Sequence, residues 1–170
     1  MRVFLVGFMG AGKSVIGRRL AKSLELSFYD LDEEIESRYK TSVASIFQKY
    51  DEACFRKLET SVLEAFSEED NFVLSCGGGT PCFGDNMDLM NSLGTTIYIK
   101  LTTSELVARI SNSVKKRPLT EGKSDAELID YVASTLSTRE PFYSKAKFIV
   151  NGSDADKDAL EEKILGLLQK

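Results

Sequence analysis

The sequence contains no histidine, and only three of its 170 residues are cysteines. The absence of histidine excludes the Ser-His-Asp and Cys-His nucleophile systems, as well as zinc sites with histidine ligands. A general base must therefore be a carboxylate, a lysine, a tyrosine or a cysteine. Cys54, Cys76 and Cys82 are odd in number and lack paired metal-ligand spacing. This pattern argues against a disulfide framework or a zinc site and favours a reducing cytoplasm.

Long apolar runs and an excess of positive charge are also missing. Runs such as Val3 to Val6 are far shorter than the about 20 apolar residues that span a bilayer, and Gly7 interrupts any signal-peptide core. The formal net charge is −4, whereas general nucleic-acid and membrane-surface binders usually carry an excess of Lys and Arg. We expect no membrane and no nucleic-acid partner, and we expect local basic groups to hold any anion.

The length of 170 residues, with 42% hydrophobic and 28% charged residues, suits one domain with one core. Short β-like runs alternate with helical patterns, which is typical of βαβ units and a parallel sheet. The predicted strands are Arg2–Val6, Ser27–Tyr29, Phe72–Ser75, Thr96–Leu101 and Phe148–Val150. These runs predict a doubly wound α/β fold with five strands.

The regions between the strands carry helix signals. Capping-box patterns at Thr102–Glu105 and Ser124–Glu127 predict two helix starts. Two stretches interrupt the regular alternation: a long helical region from Asp32 to Phe66 and a polar, basic segment from Ser111 to Lys123. We interpret both as insertions over one end of the sheet.

The strongest motif reads G-F-M-G-A-G-K-S from Gly7 to Ser14 and matches the P-loop pattern G-x-x-x-x-G-K-[ST]. It lies between the first predicted strand and a helix predicted to begin near Val15. The alternative is an ordinary glycine-rich turn. A P-loop directs backbone N–H groups and a helix N-terminus at the phosphates of a nucleotide. Lys13 would neutralise the β- and γ-phosphates and Ser14 would ligate Mg²⁺, so we predict that the chain binds ATP with Mg²⁺.

Two carboxylates, Asp30 and Asp32, follow the second predicted strand directly. Residues two apart on a strand point the same way, so both acids are expected beside the phosphates at the carboxyl edge of the sheet. One would hold a metal-bound water and the other would accept a proton from an acceptor hydroxyl. The alternative is that Asp32 caps the following helix.

Three charged residues, Glu52, Arg56 and Glu59, share one face of a predicted helix by their i, i+4 and i+3 spacing. They form either a surface ion-pair string or, if that face points into the cleft, a site where Arg56 grips a substrate carboxylate. The three consecutive glycines from Gly77 to Gly79 follow the third strand. They form either a tight turn or a place where the backbone closely approaches a ligand.

Two further arginines belong to the second half of the chain. Arg117 lies in the polar, basic segment, which has the chemistry of a closing lid or of a solvated basic loop. Arg139 lies near the end of a predicted helix, just before the last strand, where its alternative role is that of a surface arginine.

Together these residues resemble the shikimate kinase family, a branch of the nucleoside-monophosphate-kinase-like P-loop proteins, nearly from end to end. The order of the motifs carries the resemblance. The matching segments are G-F-M-G-x-G-K-S at Gly7–Ser14, D-x-D at Asp30–Asp32, F-R-x-x-E at Phe55–Glu59, the triple glycine at Gly77–Gly79, R-P-L at Arg117–Leu119 and R-x-P-x-Y at Arg139–Tyr143.

The resemblance implies a three-layer P-loop fold, with a five-stranded parallel sheet, helices on both faces, a helical substrate-binding insertion and a mobile lid. It implies one kinase domain over residues 1–170, with the substrate-binding segment at about 32–60 and the lid at about 111–124. The implied activity is ATP-dependent phosphorylation of the 3-hydroxyl of shikimate, on the route to chorismate and the aromatic amino acids. The implied partners are ATP, Mg²⁺ and shikimate, and the implied state is a cytoplasmic monomer.

The resemblance also implies the site. Asp32 would act as base, and Lys13 and Arg117 would neutralise charge on the phosphates. Ser14 would ligate the metal, Asp30 would hold a water on it, and Glu59 would orient Arg56. The implied ATP-binding residues are Gly10, Ala11, Gly12, Lys13, Ser14, Val15, Arg109 and Arg117. The implied substrate-binding residues are Asp32, Arg56, Gly78, Gly79 and Arg139.

Three positions depart from the family pattern. Val15 replaces a threonine that often follows the P-loop serine, Asp51 replaces a glycine, and Thr120 replaces a leucine. The first departure removes a hydroxyl near the nucleotide. Two alternatives to shikimate phosphorylation stay open at this point: another small-molecule P-loop kinase, for gluconate or a nucleoside monophosphate, and a non-catalytic nucleotide-binding module.

Overall fold

A computed structural model describes residues 1–113, 122–153 and 157–169. The strands are β1 (Arg2–Val6), β2 (Ser27–Asp30), β3 (Phe72–Ser75), β4 (Thr95–Lys100) and β5 (Phe148–Asn151). The α-helices are α1 (Lys13–Ser23), α2 (Leu31–Tyr39), α3 (Val43–Lys49), α4 (Glu52–Ala65), α5 (Asn86–Leu93), α6 (Thr103–Ser111), α7 (Asp125–Tyr143) and α8 (Lys157–Leu168). Short 3₁₀ turns cover Phe66–Glu68 and Thr80–Cys82.

The five strands form one parallel sheet in the order β2-β3-β1-β4-β5. The register pairs Val3 of the central strand with Val73 on one side and with Thr95 on the other. The five predicted strands are confirmed to within one residue at each end. Because all strands run the same way, the segments that follow β1, β2 and β3 meet at one edge of the sheet.

Helices cover both faces of this sheet. Successive residues of a strand point to opposite faces, and Val3, Phe4, Leu5 and Val6 of β1 are all completely buried. β3 is likewise buried at each of its four positions. Continuous burial of this kind is expected for parallel strands between helical layers, and the predicted three-layer α/β fold is confirmed.

The predicted helical region after β2 consists of three separate helices rather than one. Each begins with a side chain that accepts a hydrogen bond from a backbone N–H of its first turn: Asp30 for α2, Ser42 for α3 and Asp51 for α4. The capping boxes predicted at Thr102 and Ser124 are both formed, at the starts of α6 and α7. Among the described helices, none combines the length and the apolar character needed to span a membrane.

Candidate active site

The loop between β1 and α1 is built around Lys13. Gly12 lies at the N-cap of α1 with φ 92°, in the left-handed region that favours glycine. The Lys13 side chain is nearly buried, and its Nζ donates hydrogen bonds to the carbonyl oxygens of Gly7 and Phe8 at 2.8 and 2.9 Å. The helix begins at Lys13, two residues before the predicted start. A helix N-terminus and an ammonium group thus flank one loop, which is an arrangement suited to phosphate.

Three oxygen-bearing side chains meet beside this loop. Ser14 donates a hydrogen bond from Oγ to Oδ2 of Asp30 at 2.6 Å, and its Oγ lies 3.1 Å from Oγ of Ser75. These residues follow or end three adjacent strands, β1, β2 and β3, so the parallel sheet itself brings them together. Hydroxyl and carboxylate oxygens are the hard ligands that Mg²⁺ prefers.

The geometry expected for the two acids after β2 is wrong in one respect. Asp30 ends the strand and caps α2, because its side chain accepts a hydrogen bond from the backbone N–H of Asp32 at 3.2 Å. Asp32 therefore lies in the first turn of a helix rather than on a strand, and Asp30, not Asp32, is the capping residue. The Asp32 carboxylate still reaches the cleft, since a Cβ built on Gly77 would lie 3.5 Å from its Oδ1.

Two of the three charged residues on one face of α4, Arg56 and Glu59, point inward. Arg56 is 11% exposed and Glu59 is fully buried, and Nη1 of Arg56 donates to Oε2 of Glu59 at 2.8 Å. Glu52, which is largely exposed, accepts a second bond from Arg56 at 3.0 Å. Burial by itself would lower the pKa of Arg56, but the charges and hydrogen bonds of Glu59 and Glu52 outweigh it and raise that pKa. The guanidinium group is thus held charged at the cleft.

The glycine strip, residues Gly77 to Gly79, runs between two arginines. A Cβ built on Gly78 would lie 3.2 Å from Nη1 of Arg139 and 3.3 Å from the backbone nitrogen of Met9 in the P-loop. A Cβ built on Gly79 would overlap the guanidinium group of Arg56. A side chain at position 79 would therefore displace the Arg56 guanidinium group, so close approach as well as a turn favours glycine there.

Arg139 reaches this strip from α7. Its guanidinium carbon lies 5.6 Å from the ring centre of Phe8, and the hydroxyl of Tyr143, one turn further along the helix, donates to the carbonyl of Gly78. The Cys82 thiol is influenced by both arginines: burial raises its pKa to about 11, while the charges of Arg139 and Arg56 act to lower it. Both guanidinium groups therefore lie near the same short segment of chain.

Arg109 contacts both the P-loop and the segment after β5. Its Nη1 donates to the carbonyl of Ala11 at 3.3 Å and its Nη2 to the carbonyl of Gly152 at 2.8 Å. Glu105, on the same helix, has a pKa lowered well below its usual range by hydrogen bonds from the Ser153 and Thr102 hydroxyls. Helix α6 is thus tied to the P-loop and to the segment after β5.

Val15 lies beside the P-loop with its side chain 49% exposed. The predicted lid arginine, Arg117, and most of the predicted lid at 111–124 lie outside the described residues. At the P-loop the structure brings together Lys13, Ser14 and Asp30. Around the glycine strip it brings together a second set, Asp32, Arg56, Gly78, Gly79 and Arg139. Neither Ser75 nor Thr80 carries a motif of its own in the sequence; only their places at or just after the end of β3 pointed to the cleft.

The chain matches the family model described as shikimate kinase over residues 9–169. The shikimate kinase of Parabacteroides distasonis is 44% identical over 163 residues, which cover 96% of this chain and 92% of that protein. The shikimate kinase of Aquifex aeolicus is 38% identical over 167 residues, covering 98% of this chain and 96% of that protein.

Solved structures agree with these sequence matches. The crystal structure of shikimate kinase from Bacteroides thetaiotaomicron has a TM-score of 0.96 and 38% identity, covering 100% of this chain and 99% of that chain. The shikimate kinase from Acinetobacter baumannii in complex with shikimate has a TM-score of 0.88 and 31% identity, covering 99% of this chain and 92% of that one.

Proposed function

The chain belongs to the shikimate kinase family, and we propose that it transfers the γ-phosphoryl group of ATP to the 3-hydroxyl of shikimate. The products are shikimate 3-phosphate and ADP, on the route to chorismate and the aromatic amino acids. The observation that carries the proposal is the meeting of Asp32, Arg56 and Arg139 around the glycine strip, next to a complete P-loop.

The acceptor is held by charge and by shape. Arg56 and Arg139 pair with the shikimate carboxylate, and the backbone groups of Gly78 and Gly79 contact its ring hydroxyls. Glu59 orients Arg56, a role supported by their 2.8 Å hydrogen bond. Two guanidinium groups from different helices fix both the position and the rotation of the ring, and such alignment of reactants is a large part of phosphoryl-transfer catalysis.

Transfer occurs in line, without a covalent enzyme intermediate. Asp32 accepts the proton of the 3-hydroxyl as the oxygen attacks the γ-phosphorus. A carboxylate is a weak base, but in a loose transition state the acceptor proton leaves late, so a well-placed aspartate suffices. Lys13 neutralises charge on the β- and γ-phosphates. Arg117, which lies outside the described residues, would close over the same phosphates.

The nucleotide lies along the P-loop, with its phosphates against Gly10, Ala11, Gly12 and Val15. Arg109 packs against the adenine base, a place supported by its contacts to Ala11 and Gly152.

The implied cofactor is Mg²⁺, which Ser14 would ligate and on which Asp30 would hold a water. The 2.6 Å contact between the Ser14 hydroxyl and the Asp30 carboxylate puts two hard oxygen ligands at the end of the P-loop, so the donor set fits this ion. When bound with ATP, Mg²⁺ neutralises charge on the phosphate oxygens.

Further proposals concern organisation and context. We propose one kinase domain over residues 1–170, with a substrate-binding segment at about 32–60 and a lid at about 111–124. We also propose that the enzyme acts as a cytoplasmic monomer, without a nucleic-acid or membrane partner. Size-exclusion chromatography with light scattering measures the oligomeric state directly.

A coupled assay of ADP release, with shikimate, gluconate and AMP as separate acceptors, tests the proposal. We expect ADP release only with shikimate and only in the presence of Mg²⁺. Turnover with gluconate or AMP instead would assign the chain to another small-molecule kinase activity. Nucleotide binding without turnover on any acceptor would indicate a non-catalytic module.

A further inference from the structure

Thr80 directly follows the glycine strip and begins the 3₁₀ turn Thr80–Cys82. Its side chain is fully buried, and its hydroxyl donates a hydrogen bond to Oε1 of Glu59. The other oxygen of that carboxylate, Oε2, accepts the 2.8 Å hydrogen bond from Arg56. Thr80 and Arg56 therefore hold opposite oxygens of one buried carboxylate.

The backbone of Thr80 is anchored separately from its hydroxyl. Asn86, which is 2% exposed, donates from Nδ2 to the carbonyl of Thr80 at 3.0 Å. Thr60 on α4 donates in turn to Oδ1 of Asn86 at 3.1 Å. Because the turn keeps these bonds when the hydroxyl is removed, a change at the Thr80 side chain acts on Glu59 rather than on the path of the chain.

Glu59 has little freedom as long as both donors are present. A buried carboxylate is costly unless its oxygens are hydrogen-bonded. If the Thr80 donor is lost, the lowest-energy response is for Oε1 to turn toward the remaining donor, the guanidinium group of Arg56. That group occupies the space where a Cβ on Gly79 would lie, so a tighter pair with Glu59 would move it from its present place beside the glycine strip.

We propose that Thr80 is a positioning residue for the acceptor: through Glu59 it fixes the guanidinium group of Arg56 where the substrate carboxylate binds. The inference rests on the proposed function and extends it to a residue that does not itself face the substrate. It predicts a defect confined to the acceptor side of the cleft, with nucleotide binding unchanged.

Thr80→Val tests this role, because valine keeps the shape of threonine and replaces the hydroxyl with a methyl group that cannot donate a hydrogen bond. We expect KM for shikimate to rise about tenfold, the effect of losing roughly 1.4 kcal/mol of binding, while KM for ATP stays the same. Thr80→Ser, which restores a hydroxyl, should return KM for shikimate to near the wild-type value. Thr80→Ala takes the place of Thr80→Val if the valine variant does not fold.

Thr96→Val is the matched control. Thr96 lies on β4, away from the glycine strip, and is as buried as Thr80. Its hydroxyl donates to Oδ1 of Asn91 and accepts a hydrogen bond from the backbone N–H of Lys147. This variant should lower the melting temperature without changing KM for shikimate.

A second readout uses the carboxamide of shikimate as acceptor: wild type should prefer the carboxylate strongly, and Thr80→Val should lose much of that preference.

The outcomes separate the two proposals. If wild type releases no ADP with shikimate, the proposed function is wrong and the role of Thr80 falls with it. If wild type is active but Thr80→Val keeps the wild-type KM for shikimate, only the role of Thr80 is overturned. Equal rises in both KM values, or no rescue by serine, would also overturn it, since a general structural defect would produce them.

Discussion

The two sides of the cleft are built in different ways. The proposed nucleotide side consists mainly of one continuous segment, Gly7 to Ser14, whose single lysine is held by the carbonyl oxygens of Gly7 and Phe8. The acceptor side is assembled from Asp32, Arg56, the glycine strip and Arg139, which come from α2, α4, the end of β3 and α7. The first side depends on local backbone shape, and the second depends on the tertiary fold.

This difference teaches where specificity resides. A P-loop grips phosphates that many nucleotides share, so its side chains distinguish little between acceptors. We propose that the acceptor side recognises its ligand through charged side chains such as Arg56, which Glu59 holds by a 2.8 Å hydrogen bond. Substitutions there should change kinetics toward shikimate, while substitutions at the P-loop should change kinetics toward ATP.

Asp32→Asn should have the largest effect. It removes the proposed base but keeps size and polarity, and we expect kcat to fall about 1000-fold, within the range for loss of general base catalysis. ATP affinity, measured by titration calorimetry, should remain within about twofold. Glu33→Gln is the control, because it neutralises the neighbouring exposed carboxylate of the same helix. A variant at position 32 that retains most of its kcat would show that another group takes the proton.

Arg139→Lys should have the next largest effect. Lysine keeps the charge but loses the planar fork that binds a carboxylate with two hydrogen bonds. We expect KM for shikimate to rise about 30-fold, with KM for ATP unchanged. The control is Arg18→Lys, at an exposed arginine that pairs with Glu33. A change in KM for ATP alone would place Arg139 on the nucleotide side of the cleft and contradict its assignment to the acceptor side.

Gly79→Ala should act through Arg56. The added methyl group would occupy the space of the guanidinium group, so we expect about a tenfold rise in KM for shikimate, together with a loss of about 1–3 kcal/mol of stability from overpacking. Gly166→Ala is the control, since a Cβ there meets nothing within 4 Å. It should leave kinetics unchanged and raise stability slightly, because alanine favours the helix. Wild-type kinetics for Gly79→Ala would mean that Arg56 does not need its present position.

Val15→Thr should have the smallest effect, and that effect should be confined to the nucleotide side of the cleft. Val15 is half exposed beside the P-loop, and a hydroxyl there can donate to a phosphate oxygen. We expect KM for ATP to fall about threefold, the effect of one neutral hydrogen bond, with no change in KM for shikimate. The control is Val43→Thr, which makes the same change at the start of α3. An unchanged KM for ATP would indicate that a hydroxyl at position 15 makes no contact with the nucleotide.

The sequence allowed the sheet and the nucleotide side to be predicted because their signals are local. Each strand is a short apolar run, and the P-loop is a contiguous motif. The place of Asp32 could not be predicted, because Asp30 and Asp32 both suit a helix cap and only the tertiary structure decides between them. The roles of Ser75 and Thr80 were also invisible, since their partners Ser14 and Glu59 are distant in the chain.

The buried Glu59 has a consequence for ligand design. Its carboxylate, together with those of Glu52 and Asp32, already offsets the two positive charges of Arg56 and Arg139. A second acid on a ligand would bring a further negative charge close to these three carboxylates. Inhibitors of the acceptor side should therefore gain potency from uncharged hydrogen-bonding groups around a single acid, and not from a second acid.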